Sequence, residues 1–509
     1  MPSPIGNRLR LVARVLQELL GEELAVSVRG RRRQAAPVDG PGNEQRRARA
    51  VRQALERLGP FYVKLGQLLS TRPDMMPPAM IAELENLHDQ VEVLPFSRLE
   101  PVLEHDLGPD WRRRFQDIDT AKPLGSASIA QAHRATLAGG RPVVIKIQRP
   151  GIRESVAADM ALMRRAARLV GRTAPRFSAV VDLEAMLGGL FDAMEPELDF
   201  TGEAVNMDRA RDAIRKYRSL AVPAVVHATP GVLVQSLAPG TSVRHADRAA
   251  FDPAQLERVS RDLLSFMYQG YFIDRTFHAD PHPGNVFISP DGPATLIDWG
   301  MVGRLDKRAS LHLVLVLMTV AEGDGYGLAK AWTEMGHATP WADLPGFAAD
   351  MAALAPRIAG ATLQELNFGA ALTSVLEKAS RRGIASAPSV SLLGKSFANL
   401  EGSIRCLHPD LALADAFRSE VNGILTHLVR EYSSPQQLAR NWTELLIGTT
   451  SSLEQLRSLA NDLSNRTLSL QVQRPRLPRG LTADRPGVAR SVLALAAAAY
   501  FMDRRRRDR

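Results

Sequence analysis

Apolar positions first recur at helical spacing: Leu9, Val12, Leu16, Leu19 and Leu20 define one face of an amphipathic N-terminal helix. A Pro- and Gly-rich stretch, Pro37–Asn43, interrupts the pattern, and a second helix is predicted through Arg46–Leu58. Residues 60–115 read as more helix, broken at Pro73, Pro77, Pro78 and Pro95. The period then changes from 3.6 to 2. Strands are predicted over Lys122–Arg134 and Pro142–Ile147, joined by the Gly-Gly turn within Leu137–Arg141. Helical spacing returns through Ala157–Val170 and Leu183–Arg218, followed by short buried strands at Val222–Val226 and Val232–Gln235. From Pro253 to Arg430 the chain is mostly helix, except for a strand pair near Val286–Ile288 and Thr295–Ile297. Ser433–Ser464 reads as a helical extension and Gln471–Pro486 as a Pro- and Arg-rich linker. This order predicts an α+β chain with a helical extension over 1–115, a strand-rich lobe over 116–237, a mostly helical lobe over 238–430 and a tail over 431–509.

Composition narrows the class. At 509 residues the chain exceeds one small core, and its 45% apolar and 23% charged content is that of a globular protein. The net charge of +9 is concentrated in Arg31–Arg33, Arg46-Arg47 and Arg504–Arg507. Terminal basic clusters suit an anionic membrane surface. With 6% aromatic residues and no reading-module motif, nucleic acid is not an expected partner. Cys406 is the single cysteine, so neither an internal disulfide nor a cysteine-based zinc site is available, which fits a reducing, cytoplasmic compartment. Arginines interrupt the apolar residues between Arg8 and Leu20, leaving no signal-peptide core. The uncharged run Ser491–Met502 has twelve residues, short of the roughly 20 that a membrane crossing needs. The expected location is cytoplasmic, peripheral or weakly anchored at the inner face of the cell membrane.

Candidate chemistry centres on Phe277-His278-Ala279-Asp280-Pro281-His282-Pro283-Gly284-Asn285, followed by Leu296-Ile297-Asp298-Trp299-Gly300. An Asp, an Asn five residues later and a second Asp beyond a short hairpin are the parts of a kinase-like phosphoryl-transfer floor. One carboxylate orients the acceptor, while an amide oxygen and a second carboxylate hold Mg²⁺ against phosphate. Asp280 is the candidate acceptor-side residue, with Asn285 and Asp298 as metal ligands. An HxDxxxxN match alone also fits a capped turn; the strand pair and Asp298 at the right distance favour the catalytic reading. Upstream, Lys146 ends the apolar strand Val143-Val144-Ile145 and needs an anionic partner, which ATP phosphate and a helix carboxylate would supply. Glu195–Glu203 holds the candidates, Asp199 and Glu203 sharing a helix face at i, i+4. Gly125, Ser126, Ala127 and Ser128 occupy the place of a phosphate-covering loop, with small side chains that admit phosphate but fewer glycines to take positive φ. Gln131 and His133 either reach nucleotide or satisfy the sheet. His278 is expected to be structural.

Lys64-Leu65-Gly66-Gln67, the small-residue loop, Glu197-Leu198-Asp199 and HADPHPGN together resemble the KxGQ motif, alanine-rich loop, ExD motif and catalytic loop of the UbiB (AarF, coenzyme Q8-type, ABC1-like) atypical kinases. Leu392–Asp410 is similar to their C-lobe, and the resemblance covers roughly residues 45–430. It implies a two-lobe protein-kinase-like fold whose KxGQ segment folds over the active site. Lys64 would pair with Glu197 and Asp199, Gln67 would lie in the same occluding segment, and Glu203 would be the helix partner of Lys146. It further implies an ATP- and Mg²⁺-dependent kinase or ATPase serving ubiquinone or other isoprenoid-lipid synthesis at a membrane, with biosynthetic proteins as possible partners. Three departures stand out: Gly125 where many members have alanine, Trp299 in place of Phe, and a C-terminal apolar run shorter than the paired membrane helices of many relatives.

Two other readings share parts of this pattern. Aminoglycoside- or choline-kinase-like phosphotransferases have the HxDxxxxN and DxG logic without KxGQ. A pseudokinase scaffold would bind nucleotide without turnover, against which Lys146, Asp280, Asn285 and Asp298 speak. The adenine hinge is expected near Gln235–Gly240, so that Gln235 and Leu237 would touch the base.

Overall fold

A computed structural model describes residues 11–12, 14–15, 41–70, 76–87, 92–173, 187–188, 191, 194–359, 368–411, 420, 423–428 and 430–431. The tail segments Ser433–Ser464, Gln471–Pro486, Ser491–Met502 and Arg504–Arg507, together with Arg31–Arg33, lie outside the described residues, as does most of the helix predicted at Leu9–Leu20.

The N-terminal extension consists of α1 (Pro41–Leu58), α2 (Pro60–Ser70) and α3 (Pro78–Leu84), each beginning with proline, whose missing N–H and fixed φ suit a first helical turn. Gly66 allows the close approach within it, since a Cβ there would lie 2.3 Å from Leu87 Cδ1 and 2.9 Å from Leu55 Cδ1. α4 (Phe96–Leu107) follows, then β1 (Phe115–Ile118), β2 (Gly125–Ser126), β3 (Ala130–Leu137), β4 (Pro142–Gln148) and α5 (Ile152–Thr173). Two-residue periodicity decides which way β4 faces. Val143, Ile145 and Ile147 are fully buried against Phe96, Leu99, Leu103 and Trp111 of the α4 layer. Lys146 must therefore point to the opposite face, into the cleft.

α6 (Phe200–Ile214) borders that cleft, followed by β5 (Leu220–Ala221), β6 (Val225–Ala228) and β7 (Val232–Ser236). The main sheet runs β1-β3-β4-β7-β6, with β2 beside β3, and places Lys146 opposite Ala132 and Leu233. Within this sheet the strand missed by the hydrophobic pattern is β1, whose Phe115-Gln116-Asp117-Ile118 has apolar ends around a polar middle.

Beyond β7 come β8 (Thr241–Ser242), α7 (Pro253–Phe272), β9 (Thr276–His278), β10 (Val286–Ile288), β11 (Ala294–Leu296) and β12 (Val302–Arg304). β5-β11-β10-β8 form a small second sheet and β12-β9 a third. At the crossing between lobes, Gly240 has φ +78°, and a Cβ there would fall 1.9 Å from the Ile288 carbonyl oxygen, so only glycine fits. The helical lobe continues with α8 (Lys307–Glu322), α9 (Gly325–Met335), β13 (His337–Ala338), α10 (Leu344–Ala359), α11 (Phe368–Arg381), β14 (Ile384–Ala385) and α12 (Pro388–Leu407). Tyr271 of α7 stacks on Phe397 of α12 with ring centroids 4.4 Å apart, fixing one helix on the other. No helix among the described residues is long and apolar enough to cross a membrane; Leu313–Met318 lies within the amphipathic α8.

Candidate active site

Lys146 Nζ lies 2.5 Å from Glu203 Oε1 and 3.5 Å from Asp298 Oδ1, joining β4, α6 and the segment after β11. Burial favours loss of the lysine proton, but the two carboxylates outweigh it and hold Lys146 protonated, its pKa raised. Lys146 in turn pulls Asp298 well below the usual carboxylate range, against the opposing effect of burial, with Lys64 adding to the downward shift. Glu203 also accepts the Trp299 N–H at 3.2 Å. Asp298 has φ +61°, a left-handed conformation that only a few per cent of non-glycine residues adopt. Such backbone strain concentrates at functional positions. Here it is fixed by the Trp299 N–H to Glu203, by the Ile297 N–H to the Asn285 carbonyl at 2.9 Å, and by Asn206, which donates to the Trp299 carbonyl at 3.1 Å. Trp299 donates its ring N–H to the Leu296 carbonyl and is buried, so its extra bulk relative to phenylalanine is accommodated.

The catalytic-loop candidates share one turn. Asn285 donates its amide N–H to the Asp280 carbonyl at 3.0 Å, which leaves its side-chain oxygen as an acceptor. His278 is buried; its Nδ1 accepts the Asp280 N–H and its Nε2–H donates to the Ile297 carbonyl, while burial lowers its pKa. It is a neutral structural histidine. His282, likewise lowered by burial, accepts the Gly284 N–H at 2.9 Å. Among the described residues, no group of three or more His, Cys, Asp or Glu side chains is arranged to hold a metal unaided. The Asn285 and Asp298 oxygens instead suit a hard cation that takes most of its remaining ligands from phosphate and water.

The phosphate-loop candidates Gly125–Ser128 hang at the edge of β2 and β3, stapled by Arg149. Its guanidinium donates to the Ala127 carbonyl, the Ser126 hydroxyl and the Glu92 carbonyl at 2.9, 2.8 and 2.9 Å. No residue from 124 to 129 has positive φ, and a Cβ on Gly125 would meet open space, so the departure at Gly125 leaves the backbone course unaltered. Ser128 is buried. Gln131 and His133 satisfy the sheet: Gln131 exchanges hydrogen bonds with the Leu94 backbone and donates to His133, whose other ring nitrogen donates to the Asp119 carbonyl. At the expected hinge, Gln235 is buried with its side-chain oxygen unpartnered, and the Leu237 N–H donates to the Pro142 carbonyl at 3.3 Å.

Phe61, Tyr62 and Leu65 of α2 pack against Ile129, Ile152 and Val156. Lys64 thereby reaches Glu197, 2.8 Å away, and Glu197 Oε2 lies within 4.0 Å of the Cβ position of Gly300. Asp199 serves differently from the expected ion pair. It is the N-cap of α6, accepting from the Thr201 N–H at 2.9 Å and the Thr201 hydroxyl at 2.7 Å, the ordinary use of an Asp before a helix. Gln67 bonds within the extension, to the Leu87 carbonyl at 3.4 Å.

The residues that motif reasoning overlooked are on α12. Asn399 donates to Asp280 Oδ1 at 2.5 Å and Lys395 to Asp280 Oδ2 at 3.3 Å. Ser396 donates to the His278 carbonyl and Ser403 to the Pro281 carbonyl. Their signal was a polar stripe, Lys395, Ser396, Asn399 and Ser403, at helical spacing in an otherwise apolar helix.

A two-lobed cleft with a strand lysine paired to a helix glutamate, above an Asp–Asn–Asp floor, is the architecture of a protein-kinase-like phosphotransferase. Residues 86–332 match the ABC1 atypical kinase-like domain and residues 351–412 the UbiB helical domain. The chain belongs to the UbiB/ABC1 atypical kinase family. A probable protein kinase UbiB of Cellvibrio japonicus is 32% identical over 72% of this chain and 67% of its own. A probable protein kinase UbiB of Pseudomonas putida is 30% identical over 86% of this chain and 80% of its own. The solved complex of Rv3197 with erythromycin from Mycobacterium tuberculosis is 27% identical, with a TM-score of 0.39, covering 54% of this chain and 69% of that one.

Proposed function

We propose that this chain is an ATP- and Mg²⁺-dependent kinase or ATPase of the UbiB type that supports quinone or other isoprenoid-lipid synthesis at a membrane surface. The observation that carries the reading is the convergence of Lys146, Glu203, Asn285 and Asp298 on one cleft whose floor also presents Asp280. Lys146, kept charged, would face the nucleotide phosphates, with Glu203 holding it in place. Asn285 and Asp298 would hold Mg²⁺, which neutralises developing phosphate charge when bound. Asp280 would orient the acceptor oxygen. The extension carrying Lys64 and Gln67 is joined to the Glu197 turn beside Gly300, which favours a small acceptor over a docked protein chain and speaks against an aminoglycoside-kinase-like arrangement. Support for the lipid pathway comes from the names of the relatives.

Calorimetry tests the nucleotide half: ATP should bind with Mg²⁺ and weaken at least tenfold when the metal is chelated, about 1.4 kcal/mol. Metal-independent binding, or none, would contradict it. Lipid profiling of a strain lacking the gene tests the pathway half, with loss of a prenyl-quinone or prenyl intermediate expected and an unchanged profile counting against it. Nucleotide binding with no turnover at all would favour a pseudokinase scaffold.

A further inference from the structure

The catalytic-loop carboxylate is held from outside the loop. Asp280 is about one-quarter exposed, and each of its oxygens has a donor from α12: Asn399 Nδ2 at 2.5 Å on Oδ1 and Lys395 Nζ at 3.3 Å on Oδ2. An ionised carboxylate only accepts hydrogen bonds, so the Asn399 amide must present its N–H₂ group, and its orientation is fixed by chemistry. The helix is fastened to the loop backbone at two further points, Ser396 to the His278 carbonyl at 2.7 Å and Ser403 to the Pro281 carbonyl at 2.6 Å. Ser396 also bonds the buried Tyr271 hydroxyl at 2.8 Å. Both serines are fully buried, so α12 has little freedom to slide along the loop. The loop itself brings no lysine or arginine, and its two histidines are neutral. Lys395 is thus a cation brought by α12 to the acceptor side, with about one-third of its side chain exposed.

Resting on the kinase reading above, we propose that Asn399 and Lys395 are positioning residues for phosphoryl transfer, fixing the orientation of the Asp280 carboxylate and aiming it at the acceptor hydroxyl. Each carboxylate oxygen has two lone-pair directions, so one donor per oxygen leaves a place for the acceptor O–H. As the acceptor oxygen forms its bond to the γ-phosphorus, the bond from phosphorus to the ADP bridging oxygen breaks. The electron pair leaves with ADP, and the acceptor proton passes to Asp280. The helical segment is then a working part of the cleft, supplying the charge balance that the loop lacks.

The test measures kcat for Mg-ATP hydrolysis, with Mg-ADP affinity measured separately by calorimetry, in the full chain. Asn399→Asp keeps the shape but replaces the donor on Asp280 Oδ1 with a second carboxylate that repels it. It should lower kcat about 100-fold, the scale of a lost general base, with Mg-ADP affinity within about twofold. Lys395→Met should lower kcat about tenfold, while Lys395→Arg, which keeps the charge, stays within about threefold of wild type. This rescue separates charge from packing and carries the test if Asn399→Asp does not fold. Asp280→Asn is the reference. If it abolishes turnover while Asn399→Asp and Lys395→Met remain within twofold of wild type, the positioning role is overturned. Equal loss in Lys395→Met and Lys395→Arg would also overturn it. A wild-type chain without turnover, or full activity in Asp280→Asn, would instead remove the kinase reading on which the proposal rests.

Discussion

On the nucleotide side of the cleft Asp298 is held by Lys146, a strand cation that is itself clamped by Glu203. On the acceptor side Asp280 is held by two donors from a helix 115 and 119 residues further along the chain. The first arrangement is a compact ion cluster in which each charge has an opposite within 3.5 Å. The second is a carboxylate on a turn, stabilised by an element that otherwise belongs to the helical lobe. Charge compensation therefore stabilises the fold where the lobes meet on the nucleotide side, while on the acceptor side it acts mainly on geometry. Mutations on the two sides should separate accordingly, stability with binding in one case and turnover in the other.

The largest effect is expected from Glu203→Ala. It removes the nearer carboxylate from Lys146 and the acceptor of the Trp299 N–H, leaving only Asp298 beside the lysine, and should cost about 3 kcal/mol of stability, read as a lowered urea midpoint. A loss under 1 kcal/mol would break the claim that this side is stabilised by its own charges. Asp106 supplies a control carboxylate away from the cleft, tying α4 to the β6–β7 turn through the Thr229 hydroxyl at 2.7 Å and the Gly231 N–H at 2.8 Å. Asp106→Ala should cost about 2 kcal/mol of stability with no change in Mg-ADP affinity. Burial pushes the Asp106 pKa up, but bonds from His105, Thr229 and Gly231 bring it below its ordinary value of 3.8. Its contribution is therefore fully present above that value and fades as pH falls through the lower folded pKa, so wild type and Asp106→Ala should converge in acid.

Lys64→Ala removes a pair whose side chains are 14% and 16% exposed and should cost about 1 kcal/mol, read as roughly fivefold faster hydrogen exchange in α2. Unchanged exchange would mean that packing of Phe61, Tyr62 and Leu65 alone seats the extension. The smallest effect concerns pH. With the Lys146 pKa raised and that of Asp298 lowered, both stay charged from about pH 6 to 9, and Mg-ADP affinity should be flat there. A titration within that window would belong to Glu203, whose pKa burial raises above its ordinary value against the pull of Lys146, or to a further group in the nucleotide site.

The sheet side was the more legible in sequence. Alternation in Pro142–Ile147 and the Gly-Gly turn placed β3 and β4, and the same alternation sends Lys146 away from the α4 core. HADPHPGN and Asp298 could be read because the chemistry needs fixed local spacing. Strands of two or three residues, such as β5, β8, β9 and β12, escaped because their partners are distant and no run of side chains marks them. At Asp199 a motif and a helix cap point to the same residue, and the cap, being local, is the role its hydrogen bonds show. Lys395 and Asn399 were hidden by distance: nothing in Leu392–Asp410 states that this helix packs along the catalytic loop until Tyr271, Phe397 and Ser396 bring it there.

The account stands most directly on Asp298, which is paired with the β4 cation and would also hold the metal. Titration of Mg-ADP into wild type and Asp298→Asn by calorimetry is the decisive measurement. The expected result is a weakening of about 5- to 150-fold, or 1–3 kcal/mol, with little affinity difference between the two proteins once the metal is chelated. Equal Mg-ADP affinity in wild type and Asp298→Asn would contradict the assignment of this cleft as a metal–nucleotide site.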